Sequence, residues 1–312
     1  MQNRLQEFYQ GLDLQYVQGD LGEVEKFLIT SAIRAQKSGQ SGAEEQIAVY
    51  NELGSFYRGA GRYALSLDAF ERARTLAAGA VGENCSQYAT ILNNMAGTYR
   101  LMKDYDHAIS RFLEAIRIYR EEGRQKSYAY ASVLNNLALA YQETRQVDKA
   151  IAYLEQALML IEKMPGHRHE VAVTYNNLTS LYYAAGNPKL AMLCLNRALL
   201  EFEKCADEEN VHYAAGLNSL AGFLYAEGEC ERALRLYRKS AEYTKRFFGE
   251  NVEFAITCQN MCWVYKKMGK WDKAIAVLGK AEKVYQKLLG PEHERTRAVA
   301  DDLQRLQQAR GA

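Results

Sequence analysis

The apolar positions of this chain recur three and four residues apart, the period of a helix face, and the pattern itself repeats. Equivalent positions fall at Gln15, Tyr57, Tyr99, Tyr141, Tyr182, Leu224 and Tyr265, separated by 42, 42, 42, 41, 42 and 41 residues. Four residues before most of these stands a leucine or methionine, followed by a small residue, as in Leu137 and Ala138. Nine residues after them come Val24, Ser66, Ala108, Ala150, Ala191, Ala233 and Ala274. Four further on lie Leu28, Phe70, Phe112, Leu154, Leu195, Tyr237 and Leu278. Three beyond that come Ala73, Ala115, Ala157, Ala198 and Ala281, with Ser31 and Ser240 in the same column. Columns that agree in one register define a repeat of two amphipathic helices.

The punctuation agrees with that division. Gly19, Gly61, Gly186, Gly228 and Gly269 share a column just past the first helix, where a C-terminal cap glycine belongs. Pro188 stands at the start of a second helix, where a missing N–H costs nothing, and Pro165 and Pro291 fall between helix pairs. The spacing predicts a degenerate first pair over 1–43, six clear repeats over 44–290 and an amphipathic capping helix over 291–312. Lys37–Gly42, KSGQSG, is expected to join two pairs rather than two domains, so 1–312 is expected to be one solenoid.

Composition supports an all-α chain. There are only three prolines, and Leu, Ala, Glu, Lys, Arg and Gln dominate. Lys plus Arg number 39 against 38 Asp plus Glu, so the broad basic field needed for non-specific nucleic-acid binding is absent. No apolar run reaches membrane-spanning length, and the N-terminal stretch lacks the pattern of a secretory signal. A cytoplasmic protein with no nucleic-acid or membrane partner is expected. The cysteines at 85, 194, 205, 230, 258 and 262 form no CxxC pair and suit small buried hydrophobic positions in a reduced state. Cys258 and Cys262 lie one helical turn apart, but no His or acidic residue stands at matching spacing, so no metal site is expected.

The sequence of leucine, glycine or alanine, tyrosine, a turn glycine and then Ala-x3-Phe-x2-Ala resembles the tetratricopeptide repeat. That resemblance covers essentially the whole chain and implies a right-handed α-solenoid of about seven antiparallel helix pairs. The family's usual repeat is 34 residues, so a period near 42 implies longer helices. The strings LNNLALAY at 134–141, LNNMAGTY at 92–99 and YNNLTSLY at 175–182, with the loop LLGPEHERT at 288–296, resemble the kinesin-light-chain variant. No heptad segment precedes the array, so the resemblance carries the fold and not a cargo-transport role.

Paired asparagines inside helices need a reason, because Asn is a mediocre helix former. One column is Asn51, Asn93, Asn135, Asn176, Asn218 and Gln259; the next is Glu52, Asn94, Asn136, Asn177, Ser219 and Asn260. On a wheel of 100° per residue the first column points sideways, towards a neighbouring helix. The second points away from its own pair, into the groove lined by the first helices. The first is expected to tie helices together. The second either does the same or presents amides to a ligand, since one acceptor and two donors match an extended peptide backbone. In the kinesin light chains similar asparagines hold bound peptides, which the resemblance extends to Asn94, Asn136, Asn177 and Asn260.

Beside them, Arg58, Arg100, Tyr183, Tyr225 and Lys266 form one flank, and Trp263 stands where other repeats carry Gly, Ser or Leu. Trp263 is either an anchor for a ligand or a plug. Enzyme motifs (GxSxG, a phosphate loop, HExxH) are absent, the five histidines are scattered, and neither catalysis nor a cofactor is expected. His167 and His169 are expected in a loop between repeats. The expected function is capture of an extended peptide or disordered segment in the concave groove. A bacterial peptide-sensing regulator, and an assembly scaffold using the convex surface and ends, are the alternatives.

Overall fold

The computed structural model describes residues 2–18, 20–37, 42–204 and 211–311. Gly19, Cys205 and residues 38–41 of the KSGQSG stretch lie outside the described residues. All the regular structure described is helical, and the chain divides after Met164 into two compact units.

The first unit holds α1 (Gln2–Gln18), α2 (Leu21–Gln36), α3 (Ala43–Gly59), α4 (Tyr63–Ala80), α5 (Ser86–Leu101), α6 (Tyr105–Glu121), α7 (Tyr128–Glu143) and α8 (Val147–Ile161). The second holds α9 (Arg168–Ala184), α10 (Pro188–Glu203), α11 (Val211–Ala226), α12 (Cys230–Phe248), α13 (Val252–Lys267), α14 (Trp271–Leu289) and α15 (Glu294–Gly311). Most helices run 15 to 19 residues, which accounts for the long period. Odd-numbered helices up to α13 are the first helix of a pair and even-numbered ones the second, and the fold is an α-solenoid.

The repeating columns are the core. Every member of the three second-helix columns is buried, from Val24, Leu28 and Ser31 in α2 to Ala274, Leu278 and Ala281 in α14. Alanine at two of these positions lets the helices approach closely. Two of the serines among them are bonded: Ser66 Oγ donates to the Gly54 carbonyl at 2.8 Å and Ser240 Oγ to that of Ala214 at 2.9 Å. Gly54 has its own reason, since a Cβ there would lie 2.7 Å from the buried Phe70 ring.

Turn geometry follows the glycine column with two exceptions. Gly61, Gly186, Gly228 and Gly269 have φ between 71° and 85°, and in the two repeats lacking glycine Lys103 and Arg145 adopt φ of 64° and 60°. The tertiary arrangement demands a left-handed residue whatever the side chain. Helix starts are capped by Asp20, Asp104, Ser127, Asn187 and Asn251, with Pro188 at the first position of α10.

In the first unit, α1 packs on α3, α3 on α5 and α5 on α7, while among the described residues no pair of second helices makes comparable contact. In the second unit α11 packs on α13 likewise. The first helices therefore line the inner face of each unit. At the C-terminal end α15 packs on α14, burying Val299 and Leu306 in the position a further repeat would occupy. Arg168 and His169 form the first turn of α9 rather than a loop, and the His169 ring sits edge-on to Phe202 at 5.9 Å.

Cys194, Cys258 and Cys262 are buried and Cys85 and Cys230 half-buried, all as free thiols. Burial pushes the Cys258 and Cys262 thiols up to about 11, so both stay protonated and serve as small apolar side chains. Among the described residues no group of His, Cys, Asp or Glu could hold a metal ion, and no helix is long and apolar enough to cross a membrane.

Candidate peptide-binding face

The ten candidate residues all lie on first helices, four in the first unit and six in the second. The two units treat their amides differently.

In the first unit the two asparagine columns are stitched to one another. Asn94 Nδ2 donates to Asn51 Oδ1 at 2.9 Å, and Asn136 Nδ2 donates to Asn93 Oδ1 at 3.0 Å. Each bond joins the first column of one repeat to the second column of the next. Asn94 and Asn136 are half-buried, and beyond that bond each amide has an oxygen and a second N–H to offer. The two columns are thus not divided into tie and binder. In α5 and α7 the second-column amide, Asn94 or Asn136, is itself the tie to the preceding first helix.

Arg58 and Arg100 lie beside this ladder. Arg58 Nη1 donates to the Asn94 carbonyl at 3.2 Å, and its guanidinium occupies the space over Gly97, where a Cβ would lie 2.9 Å from Nη1. Burial first, then the neighbouring Arg100, pull the Arg58 pKa below its ordinary value. No carboxylate stands within ion-pair distance of Arg58 among the described residues, whereas Arg100 meets Glu143 at 2.6 Å. Glu52, the one acid in the second column, is held above the usual carboxylate range, mainly by burial. Asn51 hydrogen-bonds to it and Arg58 attracts it, and both effects oppose that rise. Tyr9 and Tyr16 of α1 stand near Glu52 and are half exposed.

In the second unit Asn177 and Asn260 are half-buried and make no side-chain hydrogen bond among the described residues. Asn218 Nδ2 instead donates to Thr257 Oγ1 at 2.7 Å, and Gln259 Oε1 accepts from Tyr285 at 2.7 Å. Two first-column amides here therefore bond to neighbours that are not second-column asparagines, Asn218 to the next first helix and Gln259 to α14. The flank is aromatic and cationic. Tyr183 is exposed and meets Phe223 edge-on at 5.1 Å; Lys267 lies 4.7 Å over the Tyr225 ring and Lys266 5.2 Å over the Trp263 ring. Trp263, half exposed, opens onto a cleft of about 310 Å³ whose far side is Asp302 and Arg305 of α15. It forms one wall of that cleft.

Remaining inner-face positions leave room. Ser180, Ala184, Ala215 and Ala226 are exposed, and Ser132, Leu139, Val173 and Gly222 are half-buried. One column escaped the sequence analysis. Tyr88 and Tyr130, 42 residues apart in the first turns of α5 and α7, accept from Arg74 at 2.8 Å and Arg120 at 2.9 Å on the preceding helix. Their regular spacing was the available signal; their structural role depends on arginines that only packing brings near.

Models described as tetratricopeptide repeat match residues 45–121, 130–199 and 214–251, together more than half of the chain. No curated protein matches it in sequence. Among solved structures, BtubC (BKLC) from P. vanneervenii is 25% identical, with 65% of this chain and 81% of that chain covered at a TM-score of 0.58. A putative kinesin light chain of nearly identical TPR-like repeats from Podosopora anserina is 19% identical over 64% of this chain and 96% of that one, at 0.55. A Rap protein complexed with Competence and Sporulation Factor is 15% identical over 98% and 85%, at 0.61. The last two likenesses are of fold alone.

Proposed function

The chain belongs to the tetratricopeptide-repeat family, a protein-interaction fold, and on that premise we propose that the inner face of its first helices binds an extended peptide or disordered segment. The observation that carries this is the state of the second-column amides. Asn177 and Asn260 are polar, half-buried and without a side-chain hydrogen bond among the described residues. A peptide backbone would supply the donor and acceptor that such amides match. Arg58, half-buried and outside ion-pair distance of any described carboxylate though attracted to Glu52, adds a cationic donor to the same face. Tyr183, Tyr225 and Trp263 offer aromatic surface of the kind that dominates binding energy.

A pulldown from a randomised peptide library, with sequencing of what is retained, would identify the ligand class. With a retained peptide in hand, Asn177→Ala and Asn260→Ala should each weaken binding by about 0.5–1.5 kcal/mol and leave the melting temperature unchanged. Wild-type affinity in both variants would defeat the reading. The sensor alternative shares the site. It takes its motive from the fold shared with the Rap protein in its complex, and it requires a change in scattering profile or oligomeric state on adding the same peptide.

A further inference from the structure

Charge is not spread evenly over the second helices. Helices α2, α4, α6 and α10 balance their acids and bases, and α8 carries one Lys against two acids. Helix α12 carries six Arg and Lys against two Glu, and α14 four Lys against two acids. These two helices flank α13, and together the three enclose a cleft of about 450 Å³. That volume suits several side chains of a ligand.

The floor of the cleft is apolar: Phe254, Cys258 and Met261 from α13, with Val277 of α14. Its rim carries Arg238, Lys245, Lys280 and Lys283 against Glu242 and Glu250. Lys245 and Glu250 cancel in an ion pair at 2.5 Å, and Arg238 is oriented by a bond to the Tyr265 hydroxyl at 2.7 Å. Lys280 and Lys283 are exposed and have no ion-pair partner among the described residues. They sit one turn apart at the rim of this cleft, where Val277 is half-buried and Phe254, Cys258 and Met261 form the deeper floor.

We propose that this cleft docks an acidic amphipathic protein segment, with an apolar side chain on the Phe254–Met261 floor and carboxylates on Lys280, Lys283 and Arg238. The site is separate from the inner face and does not depend on the function proposed for it. The apolar floor and the small net charge of the rim favour a polypeptide over nucleic acid, which needs an extended basic track without a hydrophobic base.

The test uses the full chain and a fluorescein-labelled synthetic peptide of alternating Glu-Glu and Leu-Phe pairs, read by anisotropy. Binding should weaken about tenfold between 50 and 300 mM salt, and about tenfold or more in the K280E/K283E double variant, whose exposed positions leave the helical spectrum unchanged. A peptide with Leu and Phe replaced by Ser should bind at least about tenfold more weakly than the parent, because the floor then has nothing to hold. Unchanged binding by K280E/K283E would overturn the proposal. So would equal binding of the Ser-substituted peptide, tighter binding of an oligothymidine, or a larger loss in Asn177→Ala than in K280E/K283E, which would place the peptide on the inner face.

Discussion

Lys103 and Arg145 hold a backbone conformation that their own side chains disfavour, because the turn between paired helices has one geometry whatever residue fills it. Both are exposed, so Lys103→Gly and Arg145→Gly should each raise stability by about 0.5–1 kcal/mol in urea titrations, the relief of strain exceeding the entropy glycine gains in the unfolded chain. Gly54 is the opposite case. Its Cα approaches a fully buried Phe70 that has nowhere to move, so Gly54→Ala should cost about 1–2 kcal/mol despite alanine's better helix propensity. Glu52 gives a pH signature. Its folded pKa is raised, so its contribution to stability is complete below the ordinary carboxylate pKa and is lost as pH rises through the folded value. Glu52→Gln should therefore melt above the wild type at pH 7, with the difference vanishing near pH 4; a constant offset across that range would mean the carboxyl is not desolvated.

At the scale of helices, the amide ladder joins the proposed binding residues to stability in the first unit, whereas Asn177 and Asn260 of the second unit carry no such tie. Asn136→Ala removes the donor to Asn93 Oδ1 and should lower stability by about 1 kcal/mol as well as weaken peptide binding, unlike Asn177→Ala. The capping helix α15 closes the apolar end of α14 through Val299 and Leu306. Leu306→Ala should cost about 2 kcal/mol and speed hydrogen exchange in α13 and α14 before it does so in α3 to α6, since a repeat array loosens from the end that is uncovered. Uniform acceleration across all helices would show that the cap is not a local device.

At the scale of the molecule, the repeat spacing passes through residues 141 to 182 without interruption, although the described contacts cluster into residues 1–164 and 165–312. From the spacing we propose a single cooperative solenoid. Calorimetry of the full chain should show one transition, and two resolved transitions would make the units independent domains. Within each unit the division of labour is physical. First helices meet one another and carry the polar, small and aromatic inner face, whereas second helices face out and, in α12 and α14 alone, carry a net positive charge.

The sequence by itself determined the helix pairs, their register and nearly every core position, because burial of one apolar stripe per helix is enforced at each repeat and leaves a periodic trace. Leu137, Ala138, Ala150 and Leu154 are buried for reasons visible in their spacing. It also assigned the second-column amides a direction different from that of the first column, since 100° per residue separates neighbours on a helix. What it left undecided are contacts between residues 10 to 43 positions apart, where one repeat meets the next. Whether Asn94 bonds to Asn51, whether Arg58 lies across Gly97, and which arginine reaches Tyr88 or Tyr130 depend on the exact offset of neighbouring helices. That offset is set by side-chain packing rather than by period, so only the tertiary structure decided it.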